Sequence, residues 1–196
     1  MNIAPLIEYF AGVRGQMIPP AALSDRRFLA ALLTAREPGP IPAEVNAQLD
    51  TLLSKEAEAR GSVEADKLPT LAARGAASGA VAQRMRLWRG DLTVLRADAI
   101  VNAANDRMLG CFVPGHICID NAIYAAAGPG LREECAEHIR RQGHPEPTGT
   151  ATLTAGYHLP ASFVIHTVGP IVPSHQPTAD DEAALASCYR SILDAA

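Results

Sequence analysis

The chain has 196 residues, 48% of them hydrophobic, enough for one folded domain with a buried core plus an extension. Its formal charge of −4, from 17 Lys and Arg against 21 Asp and Glu, lacks the basic footprint of a nucleic-acid binder. Any phosphate ligand must then be held locally, by backbone amides and helix N-termini.

No apolar run is long enough to span a bilayer, and Met1 to Pro20 shows neither a basic leader with a hydrophobic centre nor a small-residue cleavage site. A cytoplasmic chain with no membrane and no nucleic-acid partner is expected. Four unevenly spaced cysteines are too few for a disulfide scaffold at this length, and a reducing compartment leaves Cys111 and Cys118 free to bind metal.

The first eighty residues read as helical. Phe28, Leu29, Leu32 and Leu33 form one apolar stripe behind a Ser24 cap, and Val45, Leu49, Leu52 and Leu53 form another, with Glu37-Pro-Gly-Pro-Ile-Pro42 between them. The small-residue stretch from Leu71 to Ala80 reads as a linker or mobile loop. Residues 1–84 are therefore expected to be a helical extension and linker that covers the flank of a second unit, residues 85–196.

In that second unit short β-rich runs alternate with helices. Strands are expected at Met85 to Trp88, Ala99 to Asn102, Ala151 to Tyr157 and Phe163 to Val168. Helices are expected from about Asp120 to Ala127, from Leu131 to Gln142 with Gly143 ending it, and from Asp180 to Ala196. This order predicts an α/β sandwich whose ligand lies beyond the carboxyl ends of the strands, where residues 102–120 fall.

Cys111-Phe-Val-Pro-Gly-His116-Ile-Cys118 carries the strongest chemical signal. Two thiolates and an imidazole suit zinc, and three protein ligands leave a fourth position open, which is catalytic rather than structural stoichiometry. Two reduced loop cysteines beside a solvated histidine is the bland alternative. Asn102 and Asn105 close a strand, where Asn is commonly a turn former. Asp120 and Asn121 open a helix, as caps or as neighbours of backbone amides able to receive a diphosphate.

Asp91 alone reads as a turn residue, and His166 as a hydrogen-bonded sheet residue. Cys135 and Cys188 read as small core residues. His138, His144, His158 and His175 carry no pairing signal.

Taken together, Gly90-Asp-Leu-Thr93, Val101-Asn-Ala-Ala-Asn105, Gly110 to Asn121, Ala122 to Gly128 and His166-Thr-Val-Gly-Pro170 resemble the macrodomain family. More narrowly, they are similar to its zinc-containing bacterial and fungal branch, the protein-ADP-ribose hydrolases. The Cys-x4-His-x-Cys insertion marks that branch, which also carries helices before its macrodomain.

The resemblance implies a three-layer α/β/α sandwich with a mixed sheet, preceded by a helical N-terminal extension. It implies one zinc on Cys111, His116 and Cys118. Asp91 would accept from the adenine amino group of ADP-ribose, with Leu92 giving a backbone contact. Asn105 would hold the distal ribose, and the amides of Cys118, Ile119, Asp120 and Asn121 would receive the diphosphate and ribose. Asp120, with Asn105 as the second catalytic residue, would act at the reacting ribose.

The activity implied is zinc-dependent removal of mono-ADP-ribose from acidic side chains of a modified protein. Two other readings stay open: a non-catalytic ADP-ribose-binding module, and an unrelated nucleotide-binding α/β protein with a redox-sensitive cysteine pair.

The chain departs from the family at Tyr124, where the family commonly has His. The 196 residues also lack the family's next strand and its Ser-Thr-Gly-x-x-Gly-type loop, so the C-terminal part of the macrodomain is expected to be missing.

Overall fold

The computed structural model describes residues 2–14, 24–173 and 176–196. Met1 and residues 15–20, part of the stretch read above for a leader, and His175 lie outside these.

Three helices come first, α1 (Ala4–Arg14), α2 (Asp25–Thr34) and α3 (Ala43–Arg60). Leu6, Phe10, Phe28, Leu29, Leu32, Leu49, Leu52 and Leu53 interlock into one apolar core, so the two predicted stripes face each other and α1 completes the bundle. Ser24 does occupy the N-cap position of α2 with extended backbone, but its side chain makes no capping bond there.

A short parallel pair follows, β1 (Val63–Glu64) with β2 (Leu95–Arg96). The expected strand at Met85 to Trp88 does not form. Only an isolated bridge joins Arg86 to Thr70, and Met85 and Leu87 stay 51% and 67% exposed. The β-rich run that predicted a strand has no sheet to join among the described residues. Instead Arg86 donates to the carbonyls of Leu68 and Asp66, at 2.9 and 3.1 Å. The stretch from Leu71 to Ala80 makes hydrogen-bonded turns, with the Leu71 amide on Met85 O at 2.8 Å and the Ala76 amide on Leu71 O at 3.0 Å.

The main sheet has three strands, β3 (Ala99–Ala104), β4 (Ala151–Ala155) and β5 (Phe163–Val168), in the order β3-β5-β4. β3 and β5 are parallel and β4 and β5 antiparallel, so the sheet is mixed as expected. Among the described residues, β3 has no strand on its other edge.

Helices α4 (Ile119–Ala127) and α5 (Pro129–Gln142) pack on β3 and β4. Their side of the sheet carries Ile100, Asn102, Val164 and His166, all buried. Helix α6 (Ala179–Ala195) packs on β4 and β5, over Ile165 and Thr167 on the opposite side. Ser187 and Ser191 of α6 donate to Gly149 O at 3.1 and 2.8 Å. A Thr178–Asp181 capping box starts this helix. The layers are therefore α/β/α.

The helical bundle is clasped to α5 by two buried arginines. Arg132 Nη1 donates to Leu33 O at 2.8 Å and to Arg36 O at 2.7 Å. Arg36 Nη1 meets Glu133 Oε1 at 2.6 Å, and the Gly39 amide donates to the same carboxylate. Gly128, with φ +89°, closes α4 against Leu53, where a Cβ would sit 2.6 Å from Leu53 Cδ1. Only glycine fits both the left-handed backbone and that approach.

Candidate functional site

Strand β3 delivers the chain into a loop that runs from Asn105 to Cys118. Asn105 shapes its start: Nδ2 donates to Gly110 O at 2.9 Å, and Oδ1 accepts from the Arg107 amide at 3.0 Å. Met108, Gly110 and Phe112 all take positive φ, which curls the loop back over α4. Asn121 braces its far half, with Nδ2 donating to Val113 O at 3.0 Å and to His116 O at 3.2 Å. Phe112 is anchored under the Arg132 guanidinium, 4.7 Å from its ring centroid.

This scaffold brings together the three predicted ligands. Cys111 Sγ lies 3.4 Å from His116 Nδ1 and 4.0 Å from Cys118 Sγ, and the three donor atoms all fall within 4.8 Å of one another. Such a group can hold a metal ion. Cys118 is also the N-cap of α4, its Sγ accepting from the Asn121 amide at 3.4 Å. Burial pushes the Cys118 thiol up from its ordinary value, with the neighbouring Cys111 and Asp120 adding to this against the Asn121 amide.

Asp120 sits in the first turn of the same helix and is buried. Burial raises its pKa, while the Asn102 hydrogen bond and the Arg132 charge pull the other way. Asn102 Nδ2 donates to Asp120 Oδ1 at 2.8 Å and lies 3.1 Å from His166 Nδ1. His166 Nε2 lies 2.9 Å from Thr154 Oγ1. Burial pushes the His166 imidazole down to about 4.

A neutral ring with its proton on Nε2 satisfies both contacts, accepting from Asn102 and donating to Thr154. The expectation that His166 is a bonded sheet residue holds.

Of the remaining predicted residues, Asp91 caps a 3-10 turn at Leu92–Val94, its Oδ1 accepting from the Thr93 amide and hydroxyl at 2.9 and 2.8 Å. This matches the turn role read from sequence, and Leu92 packs against the main core. The turn packs against α4.

Tyr124 is buried, with its hydroxyl donating to Met108 O and lying 3.2 Å from Cys135 Sγ. Burial pushes the Cys135 thiol up to about 12, and both Cys135 and Cys188 are core residues as expected.

Three histidines that gave no pairing signal do find partners. His138 Nε2 meets Glu146 Oε2 at 3.4 Å, His158 Nδ1 meets Ala127 O at 2.8 Å, and His144 Nδ1 meets Gln142 Nε2 at 3.3 Å. The first two link separate elements, which local spacing cannot reveal.

The buried His166 has a consequence for stability. Its folded pKa lies near 4 and its ordinary value is 6.5, so the unfolded chain binds the extra proton first as pH falls. Stability from this group is complete above pH 6.5 and is lost as pH drops toward 4, on the order of 3 kcal/mol in total. Denaturant melts from pH 7 to pH 4 should show the parent losing that much more than His166→Asn. Parallel losses in both chains would refute it.

Comparison with known proteins gives the family. The Macro domain family matches residues 101–196. A protein-ADP-ribose hydrolase of Treponema medium is 40% identical over 195 residues, 97% of this chain and 72% of that protein. A protein-ADP-ribose hydrolase of Staphylococcus aureus (strain MSSA476) is 50% identical over 107 residues, 55% of this chain and 40% of its own length.

Among solved structures, the Trypanosoma brucei macrodomain in complex with ADP-ribose matches with a TM-score of 0.55 at 31% identity, over 87% of this chain and 67% of that one. The macro domain of ganglioside induced differentiation associated protein 2 matches with a TM-score of 0.53 at 33% identity, over 68% and 62%. With its mixed sheet, its Asn-bearing strand and its loop-to-helix site, the chain belongs to the macrodomain family.

Proposed function

We propose that this chain is a zinc-dependent hydrolase that releases mono-ADP-ribose from acidic side chains of modified proteins. The observation that carries the reading is the Cys111–His116–Cys118 group seated at the N-terminus of α4 beside Asp120.

The donor set fits zinc. Tetrahedral ligation with Zn–S near 2.3 Å and Zn–N near 2.05 Å places two sulfurs about 3.8 Å apart and a sulfur and nitrogen about 3.6 Å apart. The chain holds the two sulfurs at 4.0 Å and Cys111 Sγ at 3.4 Å from His116 Nδ1, with all three donor atoms within 4.8 Å of one another. All four cysteines are free thiols, and a reducing, cytoplasmic setting would keep the two ligands available. A zinc ion held here by three protein ligands would supply Lewis-acid polarisation of a substrate oxygen.

The chain's own residues take the remaining roles. The Ile119 and Asp120 amides belong to a first helical turn that has no intrahelical acceptors, and they receive the diphosphate. The Asp91 carboxylate accepts from the adenine amino group, with the Leu92 backbone beside it. Asn105, whose side chain shapes the loop, lines the distal ribose. Asp120 orients a water at ribose C1″ and takes its proton. The water oxygen bonds to C1″ as the bond from C1″ to the acidic side chain breaks, and that side chain leaves as a carboxylate.

The names of the Treponema and Staphylococcus relatives support hydrolysis, and the Trypanosoma macrodomain solved in complex with ADP-ribose supports the ligand.

The test is release of free ADP-ribose from a protein mono-ADP-ribosylated on acidic side chains, by the parent chain and by Cys118→Ser. Release by the parent with one zinc per chain, and loss of both in Cys118→Ser, is the expected result. ADP-ribose binding without release would instead identify a non-catalytic ADP-ribose reader.

A further inference from the structure

We propose that Asn102 is a positioning residue for Asp120, and that His166 and Thr154 hold it in that role. The inference rests on the reading of Asp120 as the residue at the reacting ribose, and it concerns what fixes that carboxylate in space.

Asn102 is fully buried on the side of β3 that faces α4, and its side-chain amide is a double donor. One N–H reaches Asp120 Oδ1 at 2.8 Å and the other faces His166 Nδ1 at 3.1 Å. The opposite amide orientation would set Oδ1 against a carboxylate oxygen and against a ring lone pair, two acceptor–acceptor contacts at once. The orientation is therefore imposed by its partners.

His166 continues the chain in the same sense. Its Nε2–H donates to Thr154 Oγ1 at 2.9 Å, and the Thr154 hydroxyl donates to Val164 O at 3.4 Å. The ring is kept neutral by burial, so Nδ1 stays an acceptor toward Asn102 across the working pH range. The register places Asn102 directly beside His166, and Thr154 comes from β4 on the other side of β5. A carboxylate on one helix is thereby referenced to all three strands of the sheet.

A second observation argues against a merely structural role. Asn102 Oδ1 is buried with no hydrogen-bond partner. An apolar residue at this inward position of β3, beside Ile100 and under α4, would pack without stranding an acceptor. The polar residue has a net use only through its two N–H groups, and one of these is spent on Asp120. Anchoring Oδ1 leaves Oδ2 as the oxygen able to meet a water at the ribose.

The experiment uses the zinc-loaded full chain and the ADP-ribose release assay, with zinc content and ADP-ribose Kd measured for each variant. Asp120→Ala is run first, and a parental rate there overturns the reading of Asp120 and this proposal together. With Asp120→Ala inactive, Asn102→Ala should lower kcat by about tenfold to hundredfold with Kd for ADP-ribose within about threefold of the parent.

His166→Leu, which removes the acceptor, should do the same. His166→Asn, whose amide oxygen stands where Nδ1 stood, should recover to within about threefold of the parent rate. Asn102→Ala with a kcat within about twofold of the parent overturns the proposal while leaving Asp120 in place. So does a loss of Kd that parallels the loss of kcat. Should Asn102→Ala fail to fold, the His166 pair decides: equal rates in His166→Leu and His166→Asn overturn the proposal.

Discussion

Asp120→Ala should keep one zinc per chain while releasing ADP-ribose about two to four orders of magnitude more slowly than the parent, the range typical of a lost general base. The separation of effects follows from the geometry. The ligand set of Cys111, His116 and Cys118 is complete without Asp120, whose Oδ1 is committed to Asn102. Those ligands are held by the Asn121 braces and by the Cys118 cap, and neither passes through the Asp120 side chain. Metal analysis beside initial rates reads both quantities. Zinc lost together with activity would show that the carboxylate supports the metal and would refute separate roles, whereas a parental rate would remove Asp120 from the reaction.

Arg132→Ala should lower stability by about 3 kcal/mol or more, because it removes two hydrogen bonds from a buried charged donor to Leu33 O and Arg36 O, each such bond being worth roughly 1.5–3 kcal/mol. It also empties the space between Phe112 and Tyr124, whose ring centroids lie 4.7 and 5.3 Å from the guanidinium carbon. For a chain of this size the loss corresponds to a fall in Tm of roughly 6–12 °C. Arg132→Lys should recover only part of it. An ammonium keeps the charge and can donate to carbonyls as Nη1 does, but it lacks the flat face that the guanidinium lays over Phe112 and Tyr124. Calorimetric melts would settle the matter, and an Ala variant melting within about 2 °C of the parent would contradict this role for the guanidinium.

What the sequence made legible is what local pattern controls. Helices α4, α5 and α6 and strands β3, β4 and β5 fall within a few residues of their expected ends, because each combines the right period with a cap or a glycine stop such as Gly143. The three candidate metal ligands were readable because one loop carries them all.

The unreadable parts depend on distant contacts. Asn102 meets Asp120 and His166 across 18 and 64 residues, so its inward amide emerges only once the register of β3 on β5 is fixed. The pair β1 and β2 is two residues long in each strand, too short to show a period. Met85 to Trp88 misled for the converse reason: its β-rich composition was real, but no neighbouring strand among the described residues presents hydrogen-bonding groups to it.

The Arg132 guanidinium joins parts of the chain that lie far apart in sequence: its edge serves carbonyls from the opening helical bundle, and its face lies over Phe112 of the loop that carries Cys111 and His116. A fragment starting at residue 85 would withdraw both acceptors and open this cation to solvent, and the ring it lies over would lose a fixed neighbour. Trimming the molecule to its sheet would thus reach the loop indirectly, and a minimal piece would have to retain α2 to hold Arg132 in place.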